Sequence, residues 1–393
     1  MNKHSPYQLA LRFVVIIGIV NFFADFTYEG ARGINGAFLA SLGASSVAVG
    51  FIAGFGELIG YALRSVTGFF ADKTHRYWIF AFIGYAVNML AVPALALAGN
   101  WPVAAMLMIA ERTGRALRKP AMETLLSYSG EQLGHGWVFG MNEFLDQFGA
   151  TLGPLTVAWI LFLKGSYKGG YAVLFISALA CLAMLVVARL LFPRQEEMTK
   201  HAGVEDTKRF TRGYWYFVAA GALIAAGFAD FSLIAFHFQK TGSVSTEWIP
   251  ILYAIAMATA GFSSLLFGKM LDERGVKILL AAFFIGALFA PFLFSVQFSM
   301  AVIGMILWGI GTGAQDSLLK ASLASMTPKE KRGTAFGVFD TIFGVSWFIG
   351  SAFMGILYST SIFALIVFSV IIQMAAIPIF AKSMKSFNQT GSM

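Results

Sequence analysis

Long apolar runs alternate along the chain with short polar breaks marked by glycine, proline or charge. Many runs reach 18 residues or more, enough to cross a hydrocarbon core of about 30 Å as a helix. Their punctuation predicts twelve segments: 9–41, 45–70, 77–98, 101–127, 137–163, 170–192, 214–239, 246–270, 277–296, 299–326, 334–358 and 361–381. A transmembrane β-barrel would show short alternating segments instead. The pattern therefore predicts an all-α membrane protein of twelve transmembrane helices. The longest polar stretch, 193–212 (PRQEEMTKHAGVEDTKRFTR), reads as a cytoplasmic linker between six-helix bundles at 1–192 and 213–393.

Composition agrees with that pattern. The 393 residues are 58% hydrophobic and 12% charged, against about 25% charged in soluble domains. Loops, tails and adjoining helix ends on the N-terminal side hold eighteen Lys and Arg; the opposite side holds Lys164, Lys168 and Lys240. That bias places both termini in the cytoplasm. It also accounts for the net charge of +8 without a nucleic-acid partner, since no basic block or RNA-binding motif is present. The opening MNKHSPYQLALR lacks a small-residue cleavage site, so no removable signal peptide is expected. Cys181 is the single cysteine, which argues against disulfides and thiolate metal sites. Glycosylation at Asn388-Gln389-Thr390 is not expected in a cytoplasmic tail.

The two halves of the chain repeat one another. Gly68 and Asp72 match Gly268 and Asp272 at an offset of 200. Gly136, Phe139, Gly140 and Glu143 match Gly333, Phe336, Gly337 and Asp340 at 197. Ala-Asp-Phe at 24–26 matches 229–231 at 205, which pairs Asp25 with Asp230. Three matches in order, at nearly one spacing, signal an internal duplication.

Two six-span halves joined by a cytoplasmic linker resemble the major facilitator superfamily over essentially the whole chain. The loop after span two is similar to that family's Gly-x-x-x-Asp-Lys/Arg-x-Gly-Arg/Lys pattern through Gly68, Asp72, Lys73 and Arg76, with His75 in the second glycine's place. The second copy keeps Gly268, Asp272, Gly275 and Lys277, with Glu273 after the Asp. On span five, Gly149, Gly153 and Pro154 resemble the antiporter-associated signature, although Thr156-Val157 replaces its following glycine pair. Arg112 resembles the fourth-span arginine, with Ala116 where a glycine is usual. DFTYEGAR and ERTGRALRKPAMETLLS also resemble an uncharacterised prokaryotic permease branch. The resemblance implies a proton-coupled transporter that rocks one half against the other around a midplane site.

The candidate chemistry lies in charges inside the apolar runs. A charge at a helix centre costs about 2.5–3.5 kcal/mol on insertion scales, so such groups face a wet cavity or one another. Asp25, Glu29 and Arg32 share one stripe of span one at helical spacing. On span four, Glu111, Arg115 and Arg118 form one stripe and Arg112, Lys119 and Glu123 its neighbour. Span five returns with Glu143 and Asp146, and at about 1.5 Å per residue Asp146 and Arg118 reach the same depth. The second half offers Asp230, Asp316, Lys320 and Asp340, with His237 near the outer end of span seven. Asp25, Glu29, Arg32, Arg112, Arg115 and Asp230 are the candidates for proton coupling and substrate contact. Arg118, Lys119, Glu123, Glu143, Asp146, Asp316, Lys320 and Asp340 suit an inner charge network or gate. Structural salt bridges are the plain alternative for all of them. A nearby cation lowers a carboxylate's pKa and desolvation raises it, so alternating access can tie proton release to substrate movement.

The leading expectation is proton-driven export of a small organic compound by a monomer, with the proton gradient as energy source and no cofactor. Uptake symport of an anionic metabolite is the first alternative, motivated by Arg32, Arg112 and Arg115. A transporter-derived receptor is a further one. An intramembrane enzyme would need a nucleophile with a base, or clustered metal ligands, and no such motif is present. A nucleotide-binding P-loop is also absent from the sequence.

Overall fold

The computed structural model describes residues 6–44, 46–164, 166–193, 210–244, 248–275 and 277–390. These form α-helices α1 (Pro6–Ser41), α2 (Ser46–Thr74), α3 (Tyr77–Ala94), α4 (Trp101–Leu133), α5 (His135–Lys164), α6 (Tyr167–Leu191), α7 (Arg212–Gly227), α8 (Phe231–Thr241), α9 (Trp248–Arg274), α10 (Lys277–Ala287), α11 (Phe289–Leu293), α12 (Phe298–Gly313), α13 (Leu319–Met326), α14 (Arg332–Thr360) and α15 (Ile362–Thr390). No strand occurs among the described residues. Most of the linker, 194–209, lies outside them.

Each of the twelve apolar segments is helical over most of its described residues. Among the described residues, seven helical stretches are long and apolar enough to cross a membrane by length and composition. The charged α4 falls outside that set because Glu111, Arg112, Arg115, Arg118, Lys119 and Glu123 crowd its middle. Its start is still well defined: Asn100 accepts a hydrogen bond from the Val103 amide at 3.0 Å, satisfying one of the free donors of the first turn.

Exposure runs opposite to that of a water-soluble protein. Phe162 is 83% exposed and Ile176 71%, whereas Glu143 and Asp146 are 6% and 7% exposed. Large apolar side chains cover the outside and the ionised ones sit within, as a lipid solvent requires.

Three segments that read as unbroken helices are interrupted. Segment 214–239 divides into α7 and α8 at residues 228–230. Segment 277–296 divides at Leu288. Between α12 and α13, Ala314–Leu318 form a π-helical turn. The break after α7 leaves backbone carbonyls without helical partners, and side chains supply them. Gly227 O accepts from Ser369 Oγ at 2.6 Å and Gln373 Nε2 at 3.0 Å. Ala229 O accepts from Trp308 Nε1 at 2.9 Å. Irregular backbone at membrane depth persists only with such partners.

The chain packs as two compact units. The first comprises the described residues of Met1–Gly134, Met141–Ala202 and Lys329–Thr341; the second those of His135–Gly140, Gly203–Pro328 and Ile342–Met393. Apolar packing in the first centres on Tyr28, Phe38, Val92, Leu95 and Tyr171. In the second it centres on Phe228, Phe289, Trp308 and Phe294, with Phe228 stacked on Trp308 at 5.4 Å between ring centroids.

Candidate functional site

In the first unit, α1 and α4 bring their polar stripes together. On α1, Asn21, Asp25 and Arg32 are linked at three- and four-residue steps through either Tyr28 or its neighbour Glu29, so the five share a face. Asp25 forms an ion pair with Arg118 of α4 at 3.7 Å. The Arg118 guanidinium also lies 4.4 Å over the Tyr85 ring and donates to Asn21 Oδ1 at 3.5 Å. Tyr85 donates its hydroxyl to the same oxygen. Asn21 Nδ2 donates to Asn142 Oδ1 at 2.7 Å, and Asn142 Nδ2 donates to Asp146 Oδ2 at 3.2 Å. A continuous polar chain thus runs from Asp25 through Arg118, Asn21 and Asn142 to Asp146.

Two glycines hold α5 against this part of α1. A Cβ at Gly149 would meet the Phe22 backbone, and one at Gly153 the Phe26 backbone, both inside normal contact distance. The two glycines are one turn apart and flank the level of Asp25. Only side chains this small let two backbones approach so closely. Pro154 continues the same helix.

Toward the other end of the stripe, Glu29 accepts from the neighbouring Tyr28 hydroxyl and pairs with Arg32 at 3.3 Å. Glu111 pairs with Arg112 at 3.3 Å and accepts from Asn88 Nδ2 at 2.8 Å. The Arg115 guanidinium lies 4.1 Å over the Tyr28 ring. A small cleft opens beside this group, lined by Tyr28, Ala31, Arg32, Asn35, Val92, Leu95, Met108, Glu111 and Arg112. Polar groups converge there on an apolar wall.

The remaining predicted residues are distributed differently. The depth argument joined Asp146 to Arg118, but the ion pair of Arg118 goes to Asp25, and Asp146 is bonded by Asn142. Glu143 is buried and accepts from Gln147 at 2.5 Å. Glu123 is buried, and Lys119 is partly buried on the same helix. Asp340 is buried and paired with Arg64 at 3.0 Å. In the second unit, Lys320 is buried, and Asp316 is exposed on the π-helical turn. Asp230 stands at the break, its carbonyl accepting from the Leu233 and Ile234 amides at the start of α8. His237 is fully buried and lies 3.0 Å from the Tyr358 hydroxyl.

The duplicated loop motif forms two helix caps. In the first unit, Asp72 Oδ1 accepts from the Gly333 amide at 3.0 Å and the Tyr77 hydroxyl at 2.8 Å. Its Oδ2 accepts from the Thr334 amide and hydroxyl at 2.6 and 2.7 Å. In the second unit, Asp272 accepts from the Gly136 and Trp137 amides at 2.8 and 2.7 Å. Each carboxylate satisfies free first-turn amides and faces the positive end of a helix. Gly68 lies directly on the Gly333 backbone, and Gly268 on that of Gly136. Lys73 and Arg76 are exposed.

Sequence reasoning passed over Asn21, Asn88, Tyr85 and Asn142. The amides at 21 and 88 carried a readable signal, since an unpaired amide within an apolar run is also costly. Nothing in the spacing marked Tyr85 as the partner of an arginine.

The family model for the Major Facilitator Superfamily matches residues 16–351 and 234–385. An uncharacterized protein of Mycobacterium tuberculosis is 37% identical over 379 residues, covering 95% of this chain and 93% of its own. An uncharacterized MFS-type transporter of Methanocaldococcus jannaschii is 25% identical over 373 residues, covering 92% of each chain. Two solved structures share the fold at low identity. The human organic anion transporter MFSD10 superposes with a TM-score of 0.71 at 12% identity, over 98% of this chain and all of that one. A bacterial homologue of the iron transporter ferroportin, in its outward-facing state, also gives 0.71, at 13% identity over 95% and 99% of the two chains.

Proposed function

Because the chain belongs to the major facilitator superfamily, and is therefore a multi-pass membrane transporter, we propose that it exports a small organic compound in exchange for protons by alternating access. It acts as a monomer in a prokaryotic cell membrane, with both termini cytoplasmic and no cofactor. The proton gradient supplies the energy.

The observation that carries this reading is the Asp25–Arg118 pair at 3.7 Å, held where α5 presses Gly149 and Gly153 onto α1. Protonation of Asp25 removes the negative charge that Arg118 faces. Arg118 then keeps the Tyr85 ring and the Asn21 side-chain oxygen as close partners. The Asn21–Asn142 hydrogen bond passes that change to Asp146 on α5. A proton on one carboxylate thus alters the packing of two helices. The glycine contact supports the export direction, because it is the antiporter-like motif that sets this geometry. Asp72 and Asp272 serve as latches in the cycle: each cap holds a helix start that must be released when the transporter changes state.

The test begins with untargeted mass spectrometry of cells carrying wild type or Asp25→Asn, comparing compounds inside with those in the medium. A compound depleted inside only with wild type is then reconstituted in proteoliposomes with an imposed pH gradient. Asp25→Asn should abolish pH-driven flux while the protein remains folded. Undiminished coupled flux in that variant would remove Asp25 from the mechanism, and accumulation inside cells would reverse the direction.

A further inference from the structure

Three of the four arginines on the α1–α4 face have a carboxylate partner. Arg118 pairs with Asp25, Arg112 with Glu111 and Arg32 with Glu29, at 3.7, 3.3 and 3.3 Å. Arg115 does not. Among the described residues no carboxylate lies within ion-pair distance of it, and its buried Nε has no hydrogen-bond acceptor. The Tyr28 ring covers a face of the guanidinium at 4.1 Å. Asp25 and Glu29 lie near enough to act on Arg115 through space, but Asp25 is ion-paired with Arg118 and Glu29 with Arg32, and neither pairs with Arg115. An arginine within a membrane bundle is normally paired, because an uncompensated charge there is costly.

We propose that Arg115 anchors the anionic group of the transported compound, which is a small organic monoanion such as a carboxylate. A guanidinium edge offers parallel N–H donors that match a carboxylate in bidentate fashion. Arg32, Arg112, Arg115 and Arg118 against Asp25, Glu29 and Glu111 leave one net positive charge on this face, which calls for one negative charge. Tyr28 fixes the plane of the guanidinium before the anion arrives and joins Ala31, Val92, Leu95 and Met108 in lining the adjoining cleft, an apolar wall one side chain away from the charge. Depth excludes a lipid headgroup as the source of the anion. Arg115 is 14 residues from the start of α4 and 18 from its end, which at about 1.5 Å per residue places it about 20 Å or more from either.

The inference rests on the transport reading, but binding can be read apart from flux. The purified full-length protein in phosphatidylcholine nanodiscs is melted with benzoate, or with its neutral isostere benzamide, at pH 7. Benzoate should raise the melting temperature of wild type in a dose-dependent manner, and benzamide should not. Arg115→Gln should weaken the benzoate response by about tenfold or more, with partial retention in Arg115→Lys. Without benzoate, Arg115→Gln should melt closer to wild type than Arg118→Gln does, because it breaks no ion pair. Arg118→Gln should melt lower, because it strands Asp25. Equal responses to benzoate and benzamide, no response to benzoate, or a benzoate response that survives in Arg115→Gln would each overturn the site. A drop in the unliganded melting temperature of Arg115→Gln as large as that of Arg118→Gln would reveal a structural partner and overturn it too. Loss of pH-driven flux with benzoate discrimination intact bears on the coupling mechanism alone.

Discussion

Ala-Asp-Phe occurs twice at matching places in the repeat, and the two copies adopt different backbones. At 24–26 it lies within the continuous helix α1, and Asp25 reaches Arg118. At 229–231 it lies at the junction of α7 and α8, and the Asp230 carbonyl begins a new helix. The tripeptide does not decide between these outcomes; its surroundings do. Gly227 stands where the first copy has Phe22, and its freed carbonyl is met by Ser369 and Gln373. Phe22 and Phe26 instead receive the close approach of Gly149 and Gly153. The duplication has kept the aspartate and changed what the helix around it does.

The largest expected difference follows from these roles. Asp25→Asn should eliminate proton-driven flux, whereas Asp230→Asn should leave a measurable fraction of it, because Asp230 stands at a helix start and Asp25 faces Arg118 from within a continuous helix. Flux assays in proteoliposomes at equal protein density compare them directly. Equal loss in both variants would restore the symmetry that the backbones lack.

Stability separates the copies next. Trp308→Phe keeps most of the stacking on Phe228 but removes the donor to Ala229 O. A buried carbonyl left without its partner costs about 1–3 kcal/mol. The first copy has no such dependence, since α1 satisfies its own carbonyls. A lowered melting temperature for Trp308→Phe is expected; no change would mean that the break at residues 228–230 is supported by other groups.

How much of this was legible beforehand depends on the kind of information each feature needs. Helix positions follow from apolar run length, so the helical segments were readable. Asp25, Glu29 and Arg32 announced themselves by the cost of charge in lipid, and their shared stripe follows from helical spacing. Pairing was less readable. Depth alone matched Asp146 with Arg118, whereas rotation about the helix axes gave Arg118 to Asp25 and Asp146 to Asn142. The break after α7 was hidden for a related reason: its support comes from Trp308, Ser369 and Gln373, some 80 to 146 residues away. The duplicated Asp72 and Asp272 could be matched from sequence, but not the helix starts they cap.

Those caps give the next contrast. Asp72 accepts from two amides, the Thr334 hydroxyl and the Tyr77 hydroxyl, whereas Asp272 accepts from two amides only. Loss of a helix-capping side chain costs about 0.5–2 kcal/mol. Asp72→Ala should fall at or above the top of that range and Asp272→Ala below it, as read from melting temperatures. The reverse order would mean that the hydroxyl donors add nothing beyond the amides.

The smallest effect concerns the turns that follow the same two aspartates. His75 has φ +53°, the left-handed region, and the corresponding Gly275 has φ +68°. A side chain in that conformation costs about 1–2 kcal/mol relative to the right-handed form, and glycine avoids the cost at some expense of chain entropy. His75→Gly should therefore stabilise the first turn by about 0.5–1 kcal/mol, while Gly275→Ala should destabilise the second by a similar amount. The two changes touch equivalent positions and should have opposite signs in the melting temperature. If His75→Gly instead lowers it, the imidazole makes a contact that outweighs its backbone strain, and the histidine at this position is a stabilising substitution rather than a tolerated one.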